Sequence, residues 1–312
     1  MVSTDNQELF ERYYQKEYDF NTTNLTDADV YEIKKLAKEK RVDYALAPIG
    51  DKVFEIITSN EPGLRFEFID FESEKIDGML YIPKNGEDKA YIILNSKKPL
   101  INQIFTTMHE YYHYIHDYAE IKDNPYICNF SSLENVNEKR ASRFAAEFLL
   151  PEEALRAEVK YYSQRVKGKN GVKLDYPDYA AISILLTLKY QLPLKAVIYR
   201  LYEEKYINDV DIYIENYSFI KDVISEIEIA SKRVEVLYSC DNPFFEGDSI
   251  LYMQMKSAYI TGLASREEIL RDTDILGLDR RIVEQFFDDF ATDDGDDDDD
   301  DLIAIIQDKW RK

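Results

Sequence analysis

All three histidines of this 312-residue chain lie in one stretch, His109-Glu110-Tyr111-Tyr112-His113-Tyr114-Ile115-His116. Its first five residues spell H-E-x-x-H, a helical motif in which two imidazoles bind a metal ion and the glutamate acts on a water molecule. A chance match is expected in on the order of one in a hundred chains. A motif that takes up the whole histidine supply therefore indicates a metal site.

The spacing of this motif suits one face of a helix. We predict a helix from Pro99 to about Ala119, because proline is tolerated in a first helical turn. Residues four apart lie one above the other, so His109 and His113 can direct two nitrogens at one ion. Glu110 lies one position round the helix, where its carboxylate can serve as a general base without being a ligand. A catalytic zinc site has three protein ligands, so a third ligand must come from elsewhere.

His116 is a poor candidate for this third ligand. It lies about one turn beyond His113 on the same predicted helix. Three ligands in a straight column cannot surround a tetrahedral ion, which needs donors from different directions. We therefore expect His116 to have a supporting role or a surface role.

A carboxylate on the next predicted helix is the better candidate. This helix begins near Ser131 or Ser132 and is ended by Pro151. Glu138 shares its apolar face with Ala141, Ala145 and Phe148. A carboxylate on an apolar face is costly to bury unless it is paired or bound to a metal. Glu138 is therefore the predicted third ligand.

Two other glutamates on this helix have simpler explanations. Glu134 lies one turn before Glu138 and stays open as the alternative ligand, although capping of the helix start also explains it. Glu147 lies four residues after Arg143, a spacing that predicts a solvated ion pair.

Composition limits the kinds of protein that this chain can be. The formal net charge of -22 argues against direct nucleic-acid binding, because phosphate contacts require Lys and Arg. The two cysteines, Cys128 and Cys240, form no C-x-x-C pair and indicate a reducing compartment. There is no signal-peptide pattern and no apolar run of membrane-spanning length. We expect a cytoplasmic protein that has no membrane association.

Apolar and polar residues alternate in the segments before the motif, which is typical of strands. After the motif, apolar residues recur every three or four positions, which is typical of helices. Strands are predicted at Val53–Thr58, Leu64–Ile69, Met79–Ile82 and Ala90–Asn95. A helix is predicted after Thr26, and further helices near 152–166, 178–191, 193–206, 218–238, 249–261, 265–275 and 278–290. A small sheet followed by many helices predicts the α+β class.

Two stretches resemble the ImmA/IrrE-type metallopeptidases. Residues 105–113, F-T-T-M-H-E-Y-Y-H, resemble that family's F-T-x-x-H-E-x-x-H. Residues 138–151, E-K-R-A-S-R-F-A-A-E-F-L-L-P, are similar to its E-x-x-A-N-x-F-A-x-x-L-L-M-P. The leading glutamate of the second pattern is the family's third zinc ligand, and it falls on Glu138. The resemblance extends over about 26–207.

The chain departs from the family pattern at several positions. Tyr112 stands where the family often has glycine, which implies wider packing around the motif helix. Ser142 stands where asparagine is usual, and Leu150 stands where methionine is usual. None of these departures removes a ligand or the base.

The resemblance implies a zinc-dependent endopeptidase that cuts one dedicated partner. The implied zinc ligands are His109, His113 and Glu138, with Glu110 as the base. The family often cuts a helix-turn-helix repressor of the Xre type, a basic DNA-binding protein. By analogy with zincins, the strand before the motif helix is expected to pair with the substrate, which places substrate contacts at Tyr91, Ile93 and Asn95.

The sequence also predicts a domain order. We expect an N-terminal arm (1–25), a zincin-like metallopeptidase domain (26–207), an all-helical accessory domain (208–291) and an acidic disordered tail (292–312) that contains Asp296–Asp301. The alternative function is a metal-stabilised regulatory protein that sequesters a repressor without cutting it. A helix-turn-helix over Ile182–Tyr206, with Lys189, Lys195, Arg200 and Lys205 on phosphates, is disfavoured by the acidic composition.

Overall fold

The computed structural model describes most of the first two thirds of the chain and a part of the remainder. The described residues are 25–41, 44–71, 73, 76–83, 89–123, 136–167, 174–215, 237–238, 255, 258–259, 263–278, 280, 283–284 and 287. The N-terminal arm, Glu134, both cysteines and the aspartate run lie outside these residues, apart from Leu25 at the end of the arm. Most of the helices predicted at 218–238 and 249–261 also lie outside them. The domain boundaries stay predictions.

The described residues form three strands and a series of helices. The strands are β1 (Leu64–Ile69), β2 (Gly78–Tyr81) and β3 (Ala90–Asn95). The helices before and around the motif are α1 (Asp27–Lys40), α2 (Val53–Asn60), α3 (Leu100–His116), α4 (Tyr118–Asp123) and α5 (Val136–Leu149). Those that follow are α6 (Glu152–Lys167), α7 (Tyr176–Tyr190), α8 (Leu194–Glu203), α9 (Asp211–Glu215) and α10 (Arg266–Leu276). This small sheet with many helices confirms the α+β prediction.

The sheet has the strand order β1-β3-β2, with β3 in the centre. β1 runs parallel to β3 and pairs Phe66 with Ile92, whereas β2 runs antiparallel to it and pairs Leu80 with Ile92. Because β3 is hydrogen-bonded along both edges, its backbone cannot accept a further strand. The expectation that the substrate pairs with the backbone of β3 is therefore wrong.

One predicted strand is a helix. Val53–Thr58 is rich in β-branched residues, which favours a strand, but it lies in α2. The buried side chains of α2 are Val53, Phe54, Ile56 and Ile57, a helical spacing against the core. Packing on the core therefore outweighs the local preference of the β-branched residues.

The motif helix α3 ends earlier than predicted. It stops at His116, and Asp117 forms its C-cap with its backbone N–H bonded to the carbonyl of His113. A separate short helix, α4, then takes the chain past the predicted end at Ala119. The break frees the Asp117 side chain to turn back towards the imidazoles of α3.

Gly78 sets the distance between the sheet and the motif helix. A Cβ at this position would lie 2.7 Å from Thr106 Cγ2 on α3 and 2.7 Å from the Ile93 carbonyl oxygen. Contacts this short force the neighbours to move. Only glycine lets α3 lie this close to β2.

We expect Gly78→Ala to destabilise the fold by about 1–3 kcal/mol, the usual cost of overpacking a close contact. Urea unfolding of the variant and of Glu67→Ala, a change on the exposed side of β1, would measure the difference. Equal stability of the two variants would contradict the close approach.

Two buried arginines bond the carbonyls around the end of α5. Arg41 donates to the carbonyls of Phe148 and Ala47, and Arg200 Nε lies 3.3 Å from the carbonyl oxygen of Leu150. The last carbonyls of a helix have no partner within it, so these side chains fix where α5 ends.

Arg143, Glu147, Arg200, Glu203 and Glu204 form a buried ion cluster between α5 and the end of α8. The Glu147 carboxylate lies 2.9 Å from both the Arg143 and the Arg200 guanidinium nitrogens. The predicted Arg143–Glu147 pair is present, but its predicted solvation is wrong, because only 3% of Glu147 and 2% of Arg143 are exposed. Arg200 is fully buried and is therefore unable to contact phosphates.

A second, smaller core lies in the C-terminal part of the chain. Its buried side chains are Met255, Ile269, Val283 and Phe287. Ser265 caps α10 in a reciprocal arrangement with Glu268.

None of the described helices alone has the length and apolar composition of a membrane span. Among them, only the bent pair Asp178–Tyr190 and Leu194–Glu203 reaches that length and composition together.

Candidate metal centre

Two packed helices bring three predicted ligands together. His109 and His113 come from α3, and Glu138 comes from the first turn of α5. His109 Nε2 lies 3.1 Å from Glu138 Oε2 and 3.2 Å from His113 Nε2. His113 Nε2 lies 3.5 Å from Glu138 Oε1. One ligand atom from each residue thus lies within 4.8 Å of the other two.

The arrangement fits a tetrahedral metal ion. Donor atoms about 2.0–2.2 Å from such an ion lie about 3.3–3.6 Å from one another, as the edges of a tetrahedron. The separations of 3.1 and 3.2 Å from His109 Nε2 to Glu138 Oε2 and to His113 Nε2 are close to these values. His113 Nε2 approaches the other oxygen of the same carboxylate, Oε1, at 3.5 Å. The three side chains are almost fully buried, so their donors face one another instead of solvent. A bound cation would offset the repulsion between these electron-rich atoms.

Small residues on α5 allow the two helices to approach. Ala141 and Ala145 are fully buried on the apolar face that carries Glu138. Tyr112, which stands at the family's usual glycine, packs against Phe144 with ring centroids 5.4 Å apart. Burial raises the pKa of Tyr112 to about 12, so it is neutral at physiological pH. The tyrosine is thus accommodated between α3 and α5 without displacing a ligand.

The outer nitrogens of both imidazoles also have partners. His113 Nδ1 donates to Asp117 Oδ2 over 2.7 Å, and His109 Nδ1 lies 3.2 Å from Ser142 Oγ. The Asp117 carboxylate favours a proton on His113 Nδ1, and the Ser142 hydroxyl can accept the Nδ1 proton of His109. With the protons on Nδ1, both Nε2 atoms could bind a metal. Ser142, which stands where the family usually has asparagine, thus offers a hydrogen-bonding partner to His109.

The sequence interpretation missed both outer partners, although a spacing signal exists for each. Asp117 lies four residues after His113, and Ser142 lies four residues after Glu138, so each shares a face with a ligand. A polar residue one turn beyond a ligand is thus the sequence signal for such a partner.

The pKa values of the two imidazoles are shifted in opposite directions. Burial lowers the pKa of His109, and hydrogen bonding to Glu138 offsets only part of this effect. Burial also disfavours charge on His113, but hydrogen bonds to Asp117 and Glu138 outweigh it and raise its pKa to about 10. Burial alone would raise the pKa of Glu138, yet its hydrogen bonds to the two histidines hold that pKa well below its usual range. Glu138 is therefore an anionic donor.

Glu110 lies beside this group and is not one of its three ligands. Its side chain is completely buried on α3, one residue from His109. The negative charge of Glu110 also contributes to the raised pKa of His113, after burial and the hydrogen bonds to Asp117 and Glu138. A buried carboxylate at this place on α3 is a candidate general base.

The predicted substrate contacts lie elsewhere. Tyr91 and Ile93 pair with Tyr81 and Met79, and these four side chains lie on the sheet face opposite Gly78, which contacts α3. The side chain of Asn95 is buried and donates to the carbonyl of Ile76 over 2.8 Å. The structure therefore does not bring these three residues to the metal centre.

We expect Asp117→Asn to weaken metal binding about 10–100-fold, the usual effect of removing an outer partner of a metal-bound histidine. Competition with a chromogenic chelator measures the dissociation constant directly. Asp70→Asn, which changes an exposed carboxylate, is the matched control. An unchanged affinity in Asp117→Asn would contradict the role given to this hydrogen bond.

Comparison with known proteins agrees with this geometry. Residues 60–202, a little under half of the chain, match the peptidase family described as the IrrE N-terminal-like domain. No curated protein matches the chain at a significant level. The matched segment contains all three strands, the motif helix α3 and helix α5. The segment that carries the candidate metal centre is therefore similar to the IrrE N-terminal-like peptidase family.

Proposed function

We propose that this protein is a zinc-dependent endopeptidase that cuts one dedicated protein partner. The observation that carries the proposal is the buried group of His109, His113 and Glu138, whose ligand atoms lie within 4.8 Å of one another. The buried Glu110 lies next to this group, in a segment that matches a peptidase family.

The donor set supports zinc as the metal. Two imidazoles and one carboxylate hold the metal in one major class of zinc peptidases, and three protein ligands leave a fourth position for water or substrate. A zinc ion bound there would polarise the peptide carbonyl and lower the pKa of water.

Glu110 supplies the acid–base chemistry in this proposal. Its carboxylate takes the proton of the attacking water and then donates it to the leaving amine. Asp117 and Ser142 keep the ligand imidazoles oriented throughout.

A different strand edge serves as the substrate platform. Among the described strands, β2 pairs with β3 alone, so the backbone of Gly78–Tyr81 has one edge available. An extended peptide can add to such an edge through main-chain hydrogen bonds. We propose the edge of β2 in place of Tyr91, Ile93 and Asn95, because α3 lies directly against β2 at Gly78.

The proposed partner is a basic helix-turn-helix repressor of the Xre type in the cytoplasm. The net charge of -22 favours association with a basic protein and disfavours direct contact with DNA. The family resemblance supplies the type of repressor.

Metal content tests the proposal first. Mass spectrometry of purified wild type should find near-stoichiometric zinc, and Glu138→Ala should have lost most of it. Glu153→Ala, which changes an exposed glutamate on α6, should retain the metal. Wild type that holds no zinc even after reconstitution would overturn the proposal.

Co-expression with a candidate repressor tests the reaction itself. Repressor fragments are expected with wild type, whereas an intact repressor in a stable complex would favour sequestration without cleavage.

A further inference from the structure

His116 is the one histidine that the proposed metal centre does not use as a ligand. Its Nδ1 lies 2.7 Å from Asp117 Oδ1, while the other oxygen of the same carboxylate, Oδ2, accepts from His113 Nδ1 over 2.7 Å. Asp117 thus lies between a partly exposed imidazole and a fully buried one. The side chain of His116 is 48% exposed, and that of Asp117 is 5% exposed.

The second hydrogen bond matters because an aspartate carboxylate turns easily. The terminal torsion of aspartate is broad, so one hydrogen bond leaves the carboxylate free to rotate. Asp117 also lies at the C-cap, outside the regular turns of α3. A donor on each oxygen removes the remaining rotation and keeps Oδ2 directed at His113.

His116 is itself held in place by Tyr112. The two rings stack with their centroids 5.0 Å apart and an angle of 13° between their planes. Tyr112 is buried against Phe144, so it offers a fixed surface on which an exposed imidazole can rest. The tyrosine that replaces the family's usual glycine therefore supports His116.

We infer that His116 is a positioning residue for the metal centre, which acts through Asp117 on His113 and is braced by Tyr112. This inference rests on the proposed function, because His113 is taken as a metal ligand. It assigns a role to an exposed histidine that touches neither the metal nor the substrate.

Two substitutions separate positioning from simple packing. His116→Phe keeps a ring that can stack on Tyr112 but has no nitrogen to donate to Asp117. His116→Asn loses the ring but places an amide N–H near the former Nδ1. If the hydrogen bond matters, His116→Phe impairs the centre and His116→Asn rescues it.

We expect His116→Phe to raise the zinc dissociation constant about 10-fold, at the lower end of the range for outer partners. Its cobalt-loaded form should also show an altered visible spectrum, which reports on coordination geometry. His116→Asn should remain within about threefold of wild type. Circular dichroism would verify that both variants are folded. A His116→Phe affinity and cobalt spectrum equal to wild type would overturn the inference.

Imidazole NMR gives a readout that does not depend on metal. Because the chain has only three histidines, every ring signal comes from this site. The Nδ1 proton of His113 should exchange with water more slowly in wild type than in His116→Phe, in the apo and the zinc-loaded protein. Equal exchange rates would overturn the inference. Wild type without zinc affinity would overturn the proposed function instead, and exchange in the apo protein would still decide the role of His116.

Discussion

Glu110→Gln should abolish cleavage of the partner and leave the metal content unchanged. The substitution keeps the size and burial of the side chain but removes the group that accepts a proton. Loss of a general base costs typically 10²–10⁴-fold in rate, so a drop of about this size is expected. Metal should stay because Glu110 is not among the three ligands.

Glu67→Gln is the control for this change, since Glu67 is an exposed glutamate on β1. Cleavage rate and zinc content are measured on the same preparations. Cleavage by Glu110→Gln at the rate of the control would rule out the proposed base. Loss of metal in Glu110→Gln would show instead that Glu110 contributes to metal binding.

Glu147→Gln should cause the largest loss of stability. Glu147 is the carboxylate shared by Arg143 and Arg200, which are both buried. Removing one partner of a buried ion pair typically costs 3–5 kcal/mol, because it leaves uncompensated buried charge. Glu203 and Glu204 still face both arginines, so a decrease at the lower end of this range, about 3 kcal/mol, is expected in the free energy of unfolding from urea titration.

The same carboxylate should make the fold sensitive to acid. Burial raises the pKa of Glu147, but Arg200 and Arg143 outweigh this effect and hold the pKa below its usual range. A lowered pKa in the folded state means that the stabilisation is present above the unfolded pKa and is lost as pH falls through the folded value. Wild type should thus lose stability below about pH 4.5 more steeply than Glu147→Gln. If the stability of wild type and of Glu147→Gln fell in parallel with pH, Glu147 would not be responsible for the acid sensitivity.

The sequence was most informative where function depends on local spacing. His109, Glu110 and His113 lie within one helical turn, so their relative positions follow from the helix alone. Glu138 lies on a second helix, so its position relative to the histidines does not follow from local spacing. Its place on an apolar face of that helix is what indicates a ligand. The structure brings it next to both histidines, as the family pattern implies.

The sequence was less informative where partners lie far apart along the chain. The spacing from Arg143 alone predicts a solvated Glu147. The second partner, Arg200, comes from the distant helix α8, so the sequence does not reveal the buried cluster. The central place of β3 depends on its pairing with both β1 and β2, which strand patterns cannot specify. The β-branched residues of Val53–Thr58 predict a strand, but its buried side chains have the spacing of a helix.

Helix α5 connects the metal centre with the buried ion cluster. Its first turn contributes Glu138, and its last turns contribute Glu147 and the Phe148 carbonyl that Arg41 contacts. These two ends are about 13 Å apart at 1.5 Å per residue. A ligand that binds only the folded state stabilises it by mass action. Metal added at one end of α5 should therefore protect the chain against acid unfolding that starts at the other, and acidification should in turn promote metal release.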